Sequence, residues 1–201
     1  MDSADRIVAV MHLAVSDRNL PPLTNASILN IIGLGLPEAL RALYPELPQA
    51  EVDLLQGAYS RRFVEAEESP CRLFPGVPET LEQLRADGNL LAVATGKSRR
   101  GLNRILSGLG MSEYFDATRC ADETRSKPHP LMLNQLLSEL AVPVERAVMV
   151  GDTEYDLEMA VNAGMACVAV DYGAHAVERL LPYKPGLVVS HFPELLQWRW
   201  Q

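Results

Sequence analysis

Two carboxylates, Asp152 and Asp156, follow an apolar run that is typical of a buried strand. The run, residues 147–150, lacks period-two alternation, as expected of a parallel strand covered on both faces. It stops at Gly151, and both acids then stand at the start of a segment with helical spacing. Strand, sharp turn and helix is where open α/β sheets place ligand sites, and a hard cation such as Mg²⁺ prefers oxygen ligands. The pair therefore predicts a metal site, with a helix cap formed by Thr153 and Asp156 as the alternative.

A second turn, Thr95-Gly96, offers a hydroxyl and exposed amides at the end of the apolar strand predicted over residues 90–94. The first N–H groups of a helix lack intrahelical partners, and the macrodipole is positive there, so such a turn binds anions. The alternative is an ordinary strand–helix turn with Ser98 as its N-cap.

A third turn places Lys127 ahead of the predicted helix at residues 131–140, next to Pro128. The ring of proline restricts the backbone, so the lysine can serve as a fixed positive charge for a phosphate. The alternative is an ordinary solvated lysine on the surface. We interpret His129 as a turn residue rather than as a base.

From Glu79 onward, helical segments alternate with short apolar strands, which predicts a parallel sheet built from βαβ units. Residues 19–69 contain helical patterns interrupted by prolines and no strand pattern. The predicted fold is therefore α/β, a doubly wound parallel-sheet (Rossmann-like) core with an inserted all-helical cap domain. We assign residues 1–18 and 70–201 to the core and residues 19–69 to the cap.

Composition excludes several classes of protein. The formal net charge of −8 argues against nucleic acid and anionic membrane as partners. Three cysteines, Cys71, Cys120 and Cys167, form no CxxC pair, which favours a reducing cytoplasm over a disulfide framework. No apolar stretch approaches the length of a membrane span. We expect a cytoplasmic protein.

Taken in order, Thr95-Gly96, Lys127-Pro128 and Gly151-Asp152-Thr-Glu-Tyr-Asp156 resemble three of the four motifs of the haloacid dehalogenase (HAD) superfamily. The likeness is strongest to its phosphoglycolate-phosphatase-like members with a helical cap. The resemblance implies that Thr95 and the Gly96 amide bind the transferring phosphoryl group and that Lys127 neutralises its charge. It also implies that Asp152, helped by Asp156, holds Mg²⁺.

Family chemistry is covalent: an aspartate attacks phosphorus to give an aspartyl-phosphate, which water hydrolyses while a second aspartate acts as general acid and base. The first family motif, an apolar strand followed by Asp-x-Asp-Gly-Thr, is not matched. The start, Met1-Asp2-Ser3-Ala4-Asp5, resembles only its tail, and we transfer no catalytic role to Asp2 or Asp5. We therefore expect the first central strand of the sheet to be missing.

A central strand that is missing leaves backbone N–H and C=O groups unpaired at both flanking strands. We expect one of three outcomes: the flanking strands come together, a partner or neighbouring segment adds to the sheet, or this part is disordered. Self-association through the gap is one form of the second outcome.

Two classes of function follow. The first is an Mg²⁺-dependent phosphatase that acts on a small phosphorylated metabolite. In this class, residues 1–201 start after the nucleophile of the enzyme, and we expect them to show little or no turnover. The second is a non-catalytic relative that keeps the fold as a binding or regulatory module. In the first class, the cap selects the leaving group, and the turn at residues 33–38 is either a cap feature that faces the core or an ordinary interhelical turn. The basic residues 97, 99, 100 and 104 are either part of the anion field or a solvated helix face.

Overall fold

The computed structural model describes residues 3–66 and 72–198, which fold into a helical unit and an α/β unit. The helices are Ala4–Asp17 (α1), Asn25–Asn30 (α2), Leu36–Leu43 (α3), Gln49–Glu65 (α4), Val77–Ala86 (α5), Arg99–Gly108 (α6), Leu131–Leu140 (α7), Glu154–Asn162 (α8) and Val177–Leu180 (α9). The strands are Ala92–Thr95 (β1), Ala117–Cys120 (β2), Val148–Gly151 (β3), Ala166–Val170 (β4) and Leu187–Val189 (β5).

The helical unit comprises α1 to α4, which share one hydrophobic cluster. Its fully enclosed members come from all four helices: Met11, Ala14, Val15, Ile28, Leu40, Val52, Leu55 and Ala58. Arg62 of α4 donates two hydrogen bonds of 2.7 Å to Asp17 at the end of α1. The predicted cap is thus a real packing unit, although its boundaries stay a prediction.

Helix α1 packs with the helical unit, whereas the sequence placed residues 1–18 in the α/β core. The buried face of α1 lies against α4 and α2 rather than against the sheet. Sequence order suggested the opposite, because α1 comes before the prolines that mark the start of the helical block. Its apolar stripe, including Met11 and Val15, is buried where three other helices offer complementary stripes.

The α/β unit contains two parallel sheets, β1–β2 and β3–β4–β5. Val93 pairs with Thr118 in the first sheet, and Val150 pairs with Val168 in the second. Helices α7 and α8 pack against these strands and enclose a core that includes Met132, Leu133, Leu157 and Met159. The α/β fold with parallel strands, alternating helices and a helical cap region is confirmed.

Strands β1 and β3 do not pair with each other; β1 pairs with β2, and β3 pairs with β4. Within residues 3–66 and 72–198, no strand lies between them. Both strands instead line one cleft, through Val93 and Ala94 on one side and Met149 and Val150 on the other. Of the three outcomes expected for the missing strand, direct pairing of the flanking strands is not found among the described residues, and the other two stay predictions.

Two helices of the α/β unit end just before a glycine with a positive φ. Helix α8 ends two residues before Gly164, whose φ of +69° lies in the left-handed region that glycine adopts without a side-chain clash. The same holds for α6 and Gly110. In the two described stretches, no helix is both long enough and apolar enough to cross a bilayer.

We expect Leu157→Ala to lower the free energy of unfolding by about 2–5 kcal/mol, since it removes a fully buried side chain from the α/β core and leaves a cavity. Urea unfolding monitored by circular dichroism measures the change. Val161→Ala on the same helix is the matched control: its side chain is 52% exposed, so the change should stay within about 0.5 kcal/mol. Equal effects of the two substitutions would contradict the described orientation of α8.

Candidate functional site

One cavity of about 850 Å³ lies between the helical unit and the α/β unit, and it extends into the cleft between β1 and β3. The five residues predicted from the sequence all line it: Thr95, Gly96, Lys127, Asp152 and Asp156. They reach it from three turns that follow β1, β2 and β3. The structure therefore brings these five residues together, although more than fifty positions separate Thr95 from Asp152 and Asp156 along the chain.

Lys127 and Asp156 form a buried ion pair. Their side chains are each 6% exposed, and Lys127 Nζ lies 2.5 Å from Asp156 Oδ1. The other carboxylate oxygen of Asp156 accepts hydrogen bonds from Thr153 N at 3.1 Å and Thr153 Oγ1 at 2.7 Å. The Thr153 hydroxyl in turn accepts from Asp156 N, which completes a capping box at the start of α8.

These contacts change the interpretation of Asp156. Both of its oxygens are engaged, one by the ammonium of Lys127 and the other by Thr153. The structure therefore favours Asp156 as the residue that fixes Lys127 and the helix start, rather than as a direct metal ligand. The helix-cap alternative from the sequence describes its geometry better, because the nearest cation is the lysine.

Asp152 is held differently, by the loop that follows β4. Its Oδ2 accepts a hydrogen bond of 2.9 Å from Ala174 N, and its main-chain oxygen accepts one of 3.1 Å from His175 N. Gly173 packs so closely on the Asp152 side chain that a β-carbon there would collide with it. The other oxygen, Oδ1, receives no hydrogen bond from the described residues. Asp152 therefore lines the cavity with one carboxylate oxygen that the described residues leave without a hydrogen bond.

Thr95 and Gly96 form the turn between β1 and α6. The Thr95 hydroxyl accepts a hydrogen bond of 3.2 Å from Lys97 N, and Ser98 caps α6 by accepting one of 3.2 Å from Gly101 N. The turn is thus a standard strand–helix connection with its hydroxyl on the cavity wall. The amides of Lys97, Arg99 and Gly101 are engaged by side chains of the protein, which agrees with the ordinary-turn alternative, and Gly96 lines the cavity beside Thr95.

The set of acids around the cavity fits a metal only in part. Across residues 3–66 and 72–198, no group of three or more His, Cys, Asp or Glu side chains is placed to hold a metal ion. Of the two acids that follow β3, Asp152 has one carboxylate oxygen without a hydrogen bond from the described residues, whereas Asp156 is engaged by Lys127 and Thr153. Mg²⁺ is bound in many proteins by one or two carboxylates together with substrate phosphates. The residues described here therefore suit a cation only if a phosphate or a further carboxylate completes its shell.

His175 is a buried residue at the site that sequence reasoning missed. It is 2% exposed, its Nδ1 accepts a hydrogen bond of 3.2 Å from Glu154 N, and its ring packs edge-on against Tyr155. Burial, aided by the nearby charge of Arg179, lowers the pKa of His175 below its ordinary value of 6.5. It supports the loop that carries Asp152. Nothing in the local sequence around it distinguishes it from an ordinary loop histidine.

Basic side chains surround the opening of the cavity. Lys97, Arg100 and Arg104 line it from the α/β unit, and Arg61 lines it from α4. Arg99 does not belong to this group, because its guanidinium is turned to Glu123 at 2.6 Å and to Thr118. The basic segment predicted from the sequence is therefore divided between a ligand-facing part and a structural ion pair.

The fold and this cavity define an α/β protein with a helical cap and a cavity at the carboxyl ends of its strands, where α/β proteins commonly bind small ligands. The family model for haloacid dehalogenase-like hydrolases matches residues 1–170, so the chain belongs to that family. The predicted family is confirmed.

Individual relatives narrow the class. The chain is 33% identical over 202 residues to "Probable phosphatase IndB" of Dickeya dadantii, and the alignment covers 98% of this chain and 87% of that protein. It is 29% identical over 201 residues to a phosphoglycolate phosphatase of Yersinia pestis, with the same coverage. A crystal structure described as a predicted phosphoglycolate phosphatase from Haemophilus somnus superposes with a TM-score of 0.86 at 26% identity and covers 97% of this chain and 91% of that chain. The chain is a HAD-family, phosphoglycolate-phosphatase-like protein.

We expect Asp156→Asn to lower the free energy of unfolding by about 3–5 kcal/mol at neutral pH, because it leaves the buried Lys127 ammonium without its counter-charge. Guanidinium unfolding curves measure the loss. Glu154→Gln in the same helical turn is the matched control. A hydrogen bond from Arg179 holds the pKa of Glu154 below its usual range. Because that pair is about a third exposed, Glu154→Gln should lower the free energy of unfolding by about 1 kcal/mol or less. A loss of that size for Asp156→Asn would show that the pair is solvated.

Proposed function

We propose that this chain is part of an Mg²⁺-dependent phosphatase that hydrolyses a small phosphate monoester through an aspartyl-phosphate intermediate. The observation that carries the proposal is the convergence of three turns on one cavity, where a hydroxyl, a buried ammonium and an available carboxylate oxygen face the same space. The names of the relatives support phosphate-ester hydrolysis as the reaction and phosphoglycolate as a model for the substrate.

Each residue has a proposed role in holding the phosphoryl group. Thr95 donates its hydroxyl hydrogen to a phosphoryl oxygen, and the Gly96 amide donates a second hydrogen bond. Lys127 offsets negative charge on the same group, and Asp156 keeps the ammonium in place. Asp152 would hold Mg²⁺, which when bound would supply further positive charge near the phosphoryl group.

The attacking group is a carboxylate that lies outside the residues assigned so far. In the covalent scheme a carboxylate oxygen bonds to phosphorus, the ester P–O bond breaks, and the leaving alkoxide takes a proton from an acid. Residues 1–201 contain no Asp-x-Asp pair. We therefore propose that residues 1–201 alone have little or no turnover. A strand that carries the nucleophile would fit the cleft between β1 and β3.

The same absence of an Asp-x-Asp pair in residues 1–201 favours a second function. In this alternative the chain is a non-catalytic binding or regulatory protein with a HAD fold. It uses the same phosphate cavity without the covalent step. The two proposals agree on anion binding and differ in turnover, so one set of measurements separates them.

The leaving group is proposed to carry a negative charge. Arg61 from the cap and Arg100 from α6 both line the cavity with side chains that are largely exposed. A carboxylate on the substrate, as in phosphoglycolate, would complement them.

The chain's own net charge of −8 disfavours nucleic acid as a competing ligand, and the buried thiols of Cys120 and Cys167, which form no disulfide, support a cytoplasmic location.

We expect purified residues 1–201 to show little or no hydrolysis of phosphoglycolate with Mg²⁺, measured as released phosphate. The same chain preceded by an apolar strand ending in Asp-x-Asp-Gly-Thr should gain roughly 10²-fold or more in rate. The control extension carries Asn at both Asp positions and should stay inactive. Mg²⁺-dependent turnover by residues 1–201 alone would refute the inactivity, and inactivity of the extended chain with intact phosphate binding would favour the non-catalytic alternative.

We expect Thr95→Val to weaken binding of inorganic phosphate about tenfold, because a hydrogen bond to a charged ligand contributes about 1.5–3 kcal/mol. Isothermal titration calorimetry measures the dissociation constant. Thr124→Val is the matched control, since that hydroxyl contacts main-chain oxygens away from the cavity and its loss should leave phosphate affinity unchanged. Equal affinities for both variants would remove Thr95 from the proposed site.

A further inference from the structure

Residues 30–35, which join α2 to α3 in the helical unit, touch all three turns of the site. Gly35 contacts the turn that carries Lys127, residues 33 and 34 contact the turn at Gly96, and residues 30 and 33 contact the start of α8. A single short segment of the cap thus contacts all three turns that carry the proposed site residues.

The contact at the lysine turn is a hydrogen bond to Ser126. The Gly35 amide donates to Ser126 Oγ at 2.7 Å, and the Ser126 hydroxyl donates to the main-chain oxygen of Lys127 at 3.3 Å. Ser126 therefore joins the cap backbone to the backbone of the residue proposed to neutralise the phosphoryl group.

The contact at Gly96 is backbone against backbone. The main-chain oxygen of Gly33 would lie 2.7 Å from a β-carbon placed at position 96, and the oxygen of Leu34 would lie closer still. Only glycine at position 96 therefore allows residues 33 and 34 to approach the turn this closely.

Two contacts hold the segment to the start of α8. The Tyr155 hydroxyl donates a hydrogen bond of 3.0 Å to the main-chain oxygen of Asn30. A β-carbon at Gly33 would lie 2.7 Å from Thr153 Oγ1, the hydroxyl that also bonds Asp156. Residues 30–35 therefore fit against the α/β unit only while the three turns keep their present relative positions.

We propose that Ser126 is a positioning residue that couples the occupancy of the phosphate cavity to the docking of residues 30–35. This inference rests on the proposed function. An anion held jointly by Lys127 and the Gly96 turn stabilises the relative positions of those turns, and the same arrangement is what the cap segment binds. Because such coupling is reciprocal, a docked segment tightens anion binding by the factor by which the anion tightens docking.

Hydrogen–deuterium exchange of the 1–201 chain tests the docking directly. In Ser126→Ala, amides of residues 30–35 should exchange about fivefold faster than in the wild type without ligand, since one hydrogen bond of ordinary strength is lost. In the wild type, inorganic phosphate should slow exchange in this segment, and in Ser126→Ala the slowing should shrink or vanish. Calorimetry should show phosphate affinity about fivefold weaker in Ser126→Ala.

Three variants separate positioning from a general structural effect. Ser126→Thr keeps a hydroxyl and should restore both slow exchange and phosphate affinity. Ser107→Ala, on the exposed side of α6, should change neither. Tyr155→Phe should speed exchange of the segment through its other contact, which provides an independent readout if Ser126→Ala does not fold.

The outcomes are distinct. Exchange of residues 30–35 that is unchanged in both Ser126→Ala and Tyr155→Phe overturns the docking role, and phosphate that binds the wild type without slowing this segment overturns the coupling. Absence of phosphate binding in the wild type overturns the proposed function, while faster ligand-free exchange in Ser126→Ala would still support docking through Ser126.

Discussion

The buried ion pair between Lys127 and Asp156 is the interaction on which the rest of the site depends. Either charge alone would be very unfavourable at 6% exposure, so neither side chain can leave without stranding the other. A buried pair adds little net stability compared with apolar residues of the same size, but it specifies one arrangement. Here it fixes the lysine turn to the start of α8, and the cavity takes its shape from that junction.

Because of the ion pair, the two acids after β3 make different contacts. Asp156 stands at the third position of α8, where its carboxylate completes a capping box with Thr153 and meets Lys127. Asp152 precedes the cap residue and is oriented by main-chain donors from the loop after β4. One acid is therefore structural in its contacts, whereas the other keeps an oxygen for a ligand, although the two are only four residues apart.

Local chemistry explains which parts of this arrangement were predictable. Strand β3, the glycine after it and the helix cap at Thr153 follow from short-range patterns, and so does the convergence of turns at strand ends. The engagement of Asp156 could not be predicted, because Lys127 lies 29 positions away and the capping and metal interpretations use the same side chain. The packing of α1 and the burial of His175 depend on contacts between distant segments, which periodicity does not report.

The cleft between β1 and β3 opens into the cavity that holds the proposed site residues. The carboxyl ends of both strands reach the cavity, at Thr95 and at Asp152. A strand that paired in parallel with both would satisfy their exposed backbone groups and would end at the same edge of the sheet. Its last residues would then lie between the hydroxyl proposed to bind the phosphoryl group and the carboxylate proposed to bind the cation. In the proposed phosphatase, completing the sheet and supplying the attacking carboxylate would therefore be the same structural event, because the strand that satisfied the backbone would also place a side chain beside the phosphorus.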